Sequence, residues 1–374
     1  MQAAISLRMA QSVMNRYLPP QMQWHYEYGL VLQSIFLKGK QSGLDALCGY
    51  VKSMYDAIVT AKGEILSYRE NEYNLDQINP GKVLFLLNAQ YGEARYRIAI
   101  EKLMGQLRNH PRTNAGGFWH KQIYPWQMWL DGLYMQGPFY AQYTAEYGNA
   151  RNFEDIVHQF TLIESKARDS ETGLLYHAWD ESHSQKWANP QTGCSPHFWG
   201  RSLGWYCMAL VDTVELLPQK EALIAITQRL LAPLLQYQDE GGLWFQVLDR
   251  KNEKNNYTES SASAMFIYFL LKMLRLNLVP EKDIETVKAA AINAYKGLLE
   301  QKVREEPSGE LHLNGICKVA GLGGNPYRNG SYEYYVNEPV VADDFKGIGP
   351  FILASMEYES LSVKQPTPLQ AGTT

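Results

Sequence analysis

Four short glycine-bearing units recur along this chain of 374 residues, each a glycine turn followed by a few extended residues. The units are segments 116–120, 172–177, 241–245 and 308–312. Their spacing of roughly 55 to 70 residues is what two helices and their two connections require. Between the units, apolar residues recur at helical spacing, whereas strand-like alternation is almost absent. The repeating element is therefore predicted to be a helical hairpin.

The helical pattern extends over most of the chain. The segments that carry it are 28–37, 44–60, 82–91, 94–107, 127–147, 153–167, 201–217, 220–237, 261–274, 280–300 and 349–360. A stack of helix pairs without a polar capping helix must expose apolar faces or close on itself, and about six pairs fit the length.

The pattern thus predicts an all-α fold, a single (α/α)6 barrel over residues 1–361 with the glycine units gathered at one mouth. An open solenoid is the competing architecture. Residues 362–374 contain two prolines and no periodicity, and are predicted to form a loosely held tail.

Charge and cysteine usage exclude several classes of protein. A net charge of -4 and a pI near 6.1 leave no basic stripe, so nucleic acid is not an expected partner. Cys48, Cys194, Cys207 and Cys317 lie far apart without a C-x-x-C pair, which favours reduced structural thiols over a zinc site or a disulfide framework. Neither a signal peptide nor a membrane-spanning segment is evident. We expect a cytoplasmic protein, although a trimmed export signal, and hence a periplasmic location, would leave the same sequence.

Aromatic residues are the excess that points to a ligand. The chain has 9 Trp and 25 Tyr, many of them beside Gly, His or Asp rather than within aliphatic runs. Rings with polar tips suit the faces of sugars, whose C–H groups stack on them. A large core that uses many aromatic residues is the alternative, but the pattern favours sugar binding.

Two aspartates lie at the starts of predicted helices. Asp131 is in the apolar segment 127–135, where a carboxylate is costly unless it is paired, hydrogen-bonded or protonated. It is either an N-cap or a general acid whose pKa is raised by apolar surroundings and a neighbouring carboxylate. Asp76, in loop 73–81, either caps the next helix or is the second carboxylate of a glycosidase-type pair. The spacing alone does not place the two together.

Two later loops gather histidine, arginine and tryptophan. His177, Asp180 and His183 have a spacing that matches no common metal site, so a metal is not favoured. The next loop suits an anion better, because Arg201 offers the planar fork that fits a carboxylate. Arg201 forms a structural salt bridge in the alternative interpretation.

Flat walls for a sugar ring are available on both sides of that arginine, at Trp199 and Trp205. Near the C-terminus, Lys346 could reach an acidic substrate, although a solvated lysine is the commoner case. The polar loops at 330–350 are expected to close the barrel by meeting the first helices.

Taken in order, these segments resemble glycoside hydrolase family 105, the unsaturated rhamnogalacturonyl hydrolases. The likeness covers nearly the whole chain, from Trp-His-Tyr at 24–26 through 259–265 to the Gly-Ile-Gly-Pro stretch that ends at Pro350. Several motifs in the right order are more specific than any one of them. The resemblance implies an (α/α)6 barrel that needs no metal or organic cofactor and acts on a small acidic oligosaccharide.

Family members hydrate the C4=C5 double bond of an unsaturated uronic acid at the non-reducing end of a pectin fragment. The hemiketal that results opens and expels the adjoining sugar. By position, Asp131 matches the catalytic aspartate, which protonates C4 and then helps to deprotonate the water that attacks C5. Asp76 matches the second aspartate, which holds sugar hydroxyls and favours the protonated form of Asp131. The matching positions of the substrate pocket are His120, Trp129, His177, Trp199, Arg201 and Trp205, with Tyr26 a weaker match.

The chain departs from the family pattern at two places. Segment 199–205 keeps the tryptophans and the arginine of Trp-Ala-Arg-Gly-Asn-x-Trp but changes the spacer, and Gly132 follows Asp131 where threonine is common. These changes bear on the leaving sugar more than on the reaction. Three alternatives stay open: a sugar epimerase with a histidine pair, an inverting hydrolase of saturated substrates, and a non-catalytic sugar-binding protein that would not need Asp131. The sequence does not indicate an oligomeric state.

Overall fold

Six helices form an inner ring. The structure, a computed structural model, describes residues 3–363. The inner helices are α2 (Tyr26–Ser42), α4 (Gly81–Tyr91), α6 (Leu130–Tyr147), α8 (Gly200–Val214), α11 (Ser260–Arg275) and α14 (Phe345–Val363). Each packs against the next, and α14 packs back against α2, so the ring closes on itself. Because neighbours cover these helices on several sides, α8 and α11 are buried almost along their whole length.

An outer layer of helices covers this ring. It consists of α1 (Ile5–Arg16), α3 (Asp45–Asp56), α5 (Ala94–Arg108), α7 (Asn152–Ala167), α9 (Glu221–Arg229), α10 (Leu231–Gln236) and α12 (Ile284–Lys302). The first helix of the chain, α1, packs against the last, α14, and each remaining inner helix packs against the outer helix that follows it. Six hairpins thus form a closed toroid, which confirms the predicted (α/α)6 fold over the open solenoid.

The connections that lead from an outer to an inner helix lie at one mouth of the barrel. All four predicted turns contain a glycine with positive φ: Gly116 at 93°, Gly173 at 72°, Gly242 at 87° and Gly309 at 88°. A fifth turn of the same kind, which the sequence analysis missed, has Gly63 at 77°. Only glycine adopts this conformation without steric cost, so these positions fix where each connection reverses.

Short elements shape the same mouth. Three antiparallel pairs join β1 (Gln127–Trp129) to β2 (Ala178–Asp180), β3 (Val303–Glu305) to β4 (Leu311–Leu313), and β5 (Ile316–Cys317) to β6 (Val340–Val341). The remaining elements are α13 (Tyr332–Asn337) and the 3-10 turns Pro19–Gln21, Glu70–Glu72, Leu75–Gln77 and Glu281–Asp283. These pairs were not predicted from the sequence, because strands of two or three residues are too short to show alternation.

The helices differ from those predicted in several places, and the main differences have clear causes. The first helix, α1, was missed because its buried face includes Ser6 and Ser12 among the apolar residues. The predicted helix 220–237 is divided into α9 and α10, with Pro233 in the first turn of the second. The last helix begins at Phe345 rather than at position 349, and Pro350 lies inside it.

The four cysteines are buried and free, which confirms the predicted structural thiols. No helix within residues 3–363 is long and apolar enough to cross a membrane. The tail predicted at 362–374 falls outside the described residues, except for its first two positions, which end α14.

Candidate active site

Asp131 lies in the first turn of α6, at the mouth that carries the glycine turns. Its Oδ2 is 3.3 Å from Nε2 of His177. The backbone brings these residues together, because Trp129 pairs with Ala178 in the β1–β2 ladder and the N–H of Leu130 donates to the carbonyl of His177 at 3.0 Å. The strand pair thus places Asp131, at the start of α6, next to His177.

His177 is fully buried and connects Asp131 to a third residue. Its Nδ1 is 2.8 Å from the hydroxyl of Tyr335, whose pKa is raised well above its ordinary value by burial and then by the charges of neighbours such as Asp131. Oδ2 of Asp131 and Nε2 of His177 are both buried, and neither has a hydrogen-bond partner of good geometry within the described part of the chain. A carboxylate oxygen held this way is available for chemistry rather than for stability.

Asp76 forms a second acidic group at this mouth, beside Lys121 and His120. Its Oδ2 is 2.6 Å from Nζ of Lys121, and its Oδ1 is 3.6 Å from Nε2 of His120. Burial acts to raise the pKa of Asp76, but Lys121 and His120 outweigh it and lower that pKa below its ordinary value. Burial lowers the pKa of His120 to about 4, so this ring is neutral at neutral pH.

The loops that carry these residues are joined through the backbone. The N–H of Leu75 donates to the carbonyl of His120, whose own N–H donates to the carbonyl of Gln127 at the start of β1. His120 therefore lies between the two acidic groups, and the charges of Asp76 and Asp131 both act on it. The structure brings both predicted aspartates to one mouth of the barrel.

Stacked rings form one side of the site. His120 stacks on Trp129 with ring centroids 4.5 Å apart and an interplanar angle of 13°, and Tyr124 stacks on the same indole at 5.0 Å and 18°. His177 meets Trp129 edge to face at 5.3 Å. Because Trp129 is only 5% exposed, its ring holds the two histidines in place rather than offering a free face.

The other two predicted tryptophans are more deeply buried. Trp199 lies between His177 at 4.8 Å and Tyr335 at 5.9 Å. Trp205 stacks on Tyr134 at 5.0 Å, with Tyr26 against its edge. Both indoles support the walls of the site, and partly exposed Tyr26 is the ring nearer to its opening.

The two predicted cations are already engaged by protein groups. Arg201 is 1% exposed, its Nη1 donates to the carbonyl of Cys317 and, at 3.3 Å, to Ser261, and Glu259 lies 4.0 Å away. Its Nε is buried without a partner inside residues 3–363. One edge of the Arg201 guanidinium is therefore bonded to the protein, whereas its Nε is a donor without a partner inside residues 3–363.

Lys346 is 3% exposed and contacts Glu27 at 2.5 Å and Asp344 at 2.9 Å. Contact with an acidic substrate, as the sequence suggests, would require one of these carboxylates to give way. The bond from α14 to α2 does support the expectation that this loop meets the first helices. The neighbouring segment 332–337 lies instead against Trp199 and His177.

Two alternative interpretations are not realised. Within residues 3–363, Asp131 makes no capping bond to α6, and no side chain caps α4, the helix that follows Asp76. Asp180 accepts bonds from the Ser182 and Gln185 backbone, as expected of a structural residue.

Of the residues described, one group has the geometry to hold a metal ion, Glu306, Glu310 and His312, and it does not include His177, Asp180 or His183. The metal interpretation of that histidine loop is therefore not supported by the structure.

Sequence reasoning missed three residues of this site. Lys121 pairs with Asp76, Tyr335 bonds to His177, and Tyr124 stacks on Trp129. Lys121 adjoins a residue that was predicted, so proximity in sequence is a signal that could have found it. Tyr335 is 158 positions from its partner, and only the closed ring brings it there.

A closed helical toroid with two acidic groups and stacked rings at one mouth is typical of a class of protein, the barrel-shaped glycoside hydrolases. The family model described as Glycosyl Hydrolase Family 88 matches residues 5–362. A solved glycoside hydrolase from family 105 of C. acetobutylicum ATCC 824 is 45% identical, with a TM-score of 0.92 over 96% of this chain and 100% of that one. The chain belongs to glycoside hydrolase family 105, in the group that this family forms with family 88.

Two curated relatives add to this assignment. Protein Atu3128 of Agrobacterium fabrum is 42% identical over 225 residues, which cover 59% of this chain and 96% of that protein. The unsaturated rhamnogalacturonyl hydrolase YesR of Bacillus subtilis is 29% identical over 201 residues, which cover 51% of this chain and 56% of that protein. An oligosaccharide is thus the class of substrate that the family implies.

Proposed function

We propose that this glycoside hydrolase removes an unsaturated uronic acid from the non-reducing end of rhamnogalacturonan oligosaccharides by hydrating its C4=C5 double bond. The distant likeness to YesR supports the choice of substrate. The observation that carries the chemistry is the buried, unpartnered Oδ2 of Asp131 beside His177. We further propose that the protein acts in the cytoplasm.

The reaction requires a proton donor next to a carbon atom. Asp131 gives its proton to C4, and the positive charge that develops at C5 is shared with the ring oxygen. Water then attacks C5 and its proton returns to the carboxylate of Asp131, which can act as base because it has already acted as acid. The hemiketal opens, and the hemiacetal left at C1 releases the adjoining sugar. Atoms balance with water as the only co-substrate.

His177 and Tyr335 position the proton donor. The hydroxyl of Tyr335 stays protonated because its pKa is raised, and it donates to Nδ1 of His177. The remaining ring proton then lies on Nε2, which faces Asp131 at 3.3 Å. This arrangement steadies the carboxylate after it has given its proton away.

Asp76 holds substrate hydroxyls, because its lowered pKa keeps it an ionised acceptor. Positive charge nearby suits the uronate group: Lys121 is fixed beside Asp76, and Arg201 has an unused Nε. The buried rings keep bulk water away from the sugar apart from the molecule that attacks C5, which strengthens these interactions.

One assay tests the proposal. The wild-type protein is incubated with an unsaturated rhamnogalacturonan disaccharide, while the near-ultraviolet absorbance of the conjugated double bond and the release of rhamnose are followed together. We expect both signals to change at the same rate. Release of rhamnose with the double bond retained would indicate attack at C1 instead, and an isomerised sugar without release would indicate an epimerase. Binding with no turnover would indicate a non-catalytic protein.

A further inference from the structure

A small cavity lies behind the ring of His120, on the side away from Asp76. Its volume is about 10 Å³, and its lining includes His120, Gly132 and Gln136. Two polar atoms in this lining, Nδ1 of His120 and Oε1 of Gln136, are buried without a hydrogen-bond partner within residues 3–363. The two side chains belong to residues that are only 3% and 1% exposed. Unpartnered polar atoms at such depth normally bind ordered water.

Glycine at position 132 leaves this space open. A Cβ at that position would lie 3.2 Å from Nδ1 of His120 and 3.2 Å from Cδ1 of Leu75. Both contacts are tighter than ordinary van der Waals contact, so a larger side chain would enter the cavity. A volume of roughly one probe sphere is enough for one water molecule and no more.

The charge of Asp76 favours a proton on Nε2 of His120 without fixing it there. At 3.6 Å, Oδ1 of Asp76 is beyond hydrogen-bond distance from Nε2, but an ionised carboxylate facing a ring nitrogen favours N–H over a lone pair there. The ring is neutral, so it has one such proton. With that proton on Nε2, Nδ1 is an acceptor, and it faces a cavity whose other unpartnered atom, Oε1 of Gln136, is also an acceptor.

We propose that a single water molecule binds in this cavity and donates one hydrogen bond to Nδ1 of His120 and the other to Oε1 of Gln136. Two acceptors without donors match the two O–H groups of one water molecule. The water fixes His120 as the Nε2–H tautomer. Gln136 and Gly132 are therefore positioning residues. Gln136 accepts a hydrogen bond from the water, and Gly132 leaves room for it.

The consequence for catalysis rests on the proposed function. His120 stacks on Trp129 and faces Asp76, so a ring fixed in one tautomer keeps Asp76 oriented for substrate hydroxyls. Loss of the water should weaken substrate binding more than the chemical step, because His120 faces Asp76, whereas the ring next to Oδ2 of Asp131 is that of His177. We expect the KM of Gln136→Met to rise about tenfold with kcat changed less than threefold, an effect typical of outer hydrogen-bond partners.

The test measures the tautomer directly and needs no substrate. In protein labelled with ¹⁵N-histidine, the resonances of His120 are assigned by their loss in His120→Gln. We expect the wild type to carry its proton on Nε2, and Gln136→Met to give a mixture of tautomers. Gly132→Ser should keep the Nε2–H form, because its hydroxyl replaces the water as donor to Nδ1. Gln142→Met is the matched control, since Gln142 lies on the same helix and bonds to Glu146 away from the cavity.

Two results would overturn the proposal. One is a wild-type His120 with its proton on Nδ1, and the other is a high-resolution crystal structure with no water between Nδ1 and Oε1. Should Gln136→Met fail to fold, Gly132→Ser and the wild type still decide between the tautomers. Both outcomes are separate from the fate of the proposed function, which depends on turnover of the unsaturated disaccharide.

Discussion

The two ends of the inner ring use buried carboxylates in opposite ways. Asp131, in the first turn of α6, has a buried oxygen with no hydrogen-bond donor of good geometry among residues 3–363. Asp212, near the end of α8, accepts bonds from Lys272 at 2.8 Å and from Tyr268 at 2.6 Å. Glu215 adds a second carboxylate to the same lysine at 2.6 Å. A carboxylate bonded to a lysine and a tyrosine stabilises the barrel, whereas one with an unpartnered buried oxygen is available for chemistry.

Lys82, in α4, lies between these two ends of the inner ring. Its Nζ is 3.7 Å from the centroid of the Tyr134 ring and has no hydrogen-bond acceptor within the described chain. Burial lowers its pKa to about 7, an effect that Asp212 opposes and Lys272 reinforces. Because Tyr134 stacks on Trp205, this lysine supports the floor of the candidate site from below.

Asp131→Asn should produce the largest effect on activity. Asparagine cannot donate the proton to C4, so we expect kcat to fall by about 10³-fold or more, within the range of general acid catalysis. The free energy of unfolding should change by less than about 1 kcal/mol, because Oδ2 has no hydrogen bond to lose. Steady-state kinetics and denaturant unfolding measure the two quantities on the same samples. Unchanged turnover would remove Asp131 from the mechanism.

Asp212→Asn should show the reverse pattern. The substitution leaves Lys272, 6% exposed at its side chain, with only Glu215 as a charged partner. We expect the free energy of unfolding to fall by about 3 kcal/mol, as when one member of a buried ion pair is removed, while kcat stays within about twofold. A loss of activity as large as that of Asp131→Asn, with stability unchanged, would mean that the two ends do not divide these roles.

Lys82→Met should stabilise the protein at neutral and acidic pH. In the unfolded chain this lysine has its ordinary pKa of 10.5, whereas in the folded protein the value is about 7. The unfolded state thus binds more protons between these values, so the wild type gains stability as pH rises through that window. At about 1.4 kcal/mol per pH unit over this window, we expect Lys82→Met to be more stable by about 4 kcal/mol at pH 6 and to lose this advantage towards pH 10. Equal gains at both pH values would show that burial of charge is not the cause.

Asp76→Asn should change the free energy of unfolding by a smaller amount, and that change should depend on pH in the acidic range. The pKa of Asp76 is lower in the folded protein than the ordinary 3.8, so its carboxylate contributes stability above that value. This contribution disappears as pH falls through the folded pKa. We expect wild type to exceed Asp76→Asn by about 1 kcal/mol at pH 6 and the gap to shrink as the pH falls below 3.8. Urea unfolding across that range measures it, and a gap that widens in acid would contradict the ion pair with Lys121.

Local patterns were enough to predict much of the fold. Each glycine turn marks a connection from an outer to an inner helix. The helical spacing predicts all six inner helices to within a few residues of their observed bounds. The predicted start of α14 at position 349 missed residues 345–348, because segment 343–350 was interpreted as a glycine-bearing loop. In the structure a Cβ on Gly349 would be 2.5 Å from Cγ of Leu30, so glycine is there to let α14 approach α2. Such contacts depend on ring closure and have no local signal.

The residues of the site likewise fall into those that the local sequence predicts and those that only the closed ring brings together. Asp76 and Asp131 follow from polar residues set into apolar helix starts, and the structure places both at the mouth where the glycine turns converge. The partners that decide their chemistry, Lys121 and Tyr335, follow only from distance in space. Lys346 shows the limit of reasoning by residue type, because the protein itself engages the charge that was assigned to a substrate, whereas Arg201 keeps an unpartnered donor at Nε.

Whether Asp131 delivers a proton to carbon is tested most directly by turnover in D₂O. The wild-type enzyme is supplied with the unsaturated disaccharide, and the released keto-acid is analysed by NMR at early times, before exchange next to the ketone. The account predicts one deuteron at C4, added to a single face of the sugar. A released uronic acid that keeps its C4=C5 double bond and carries no deuterium at C4 would contradict it.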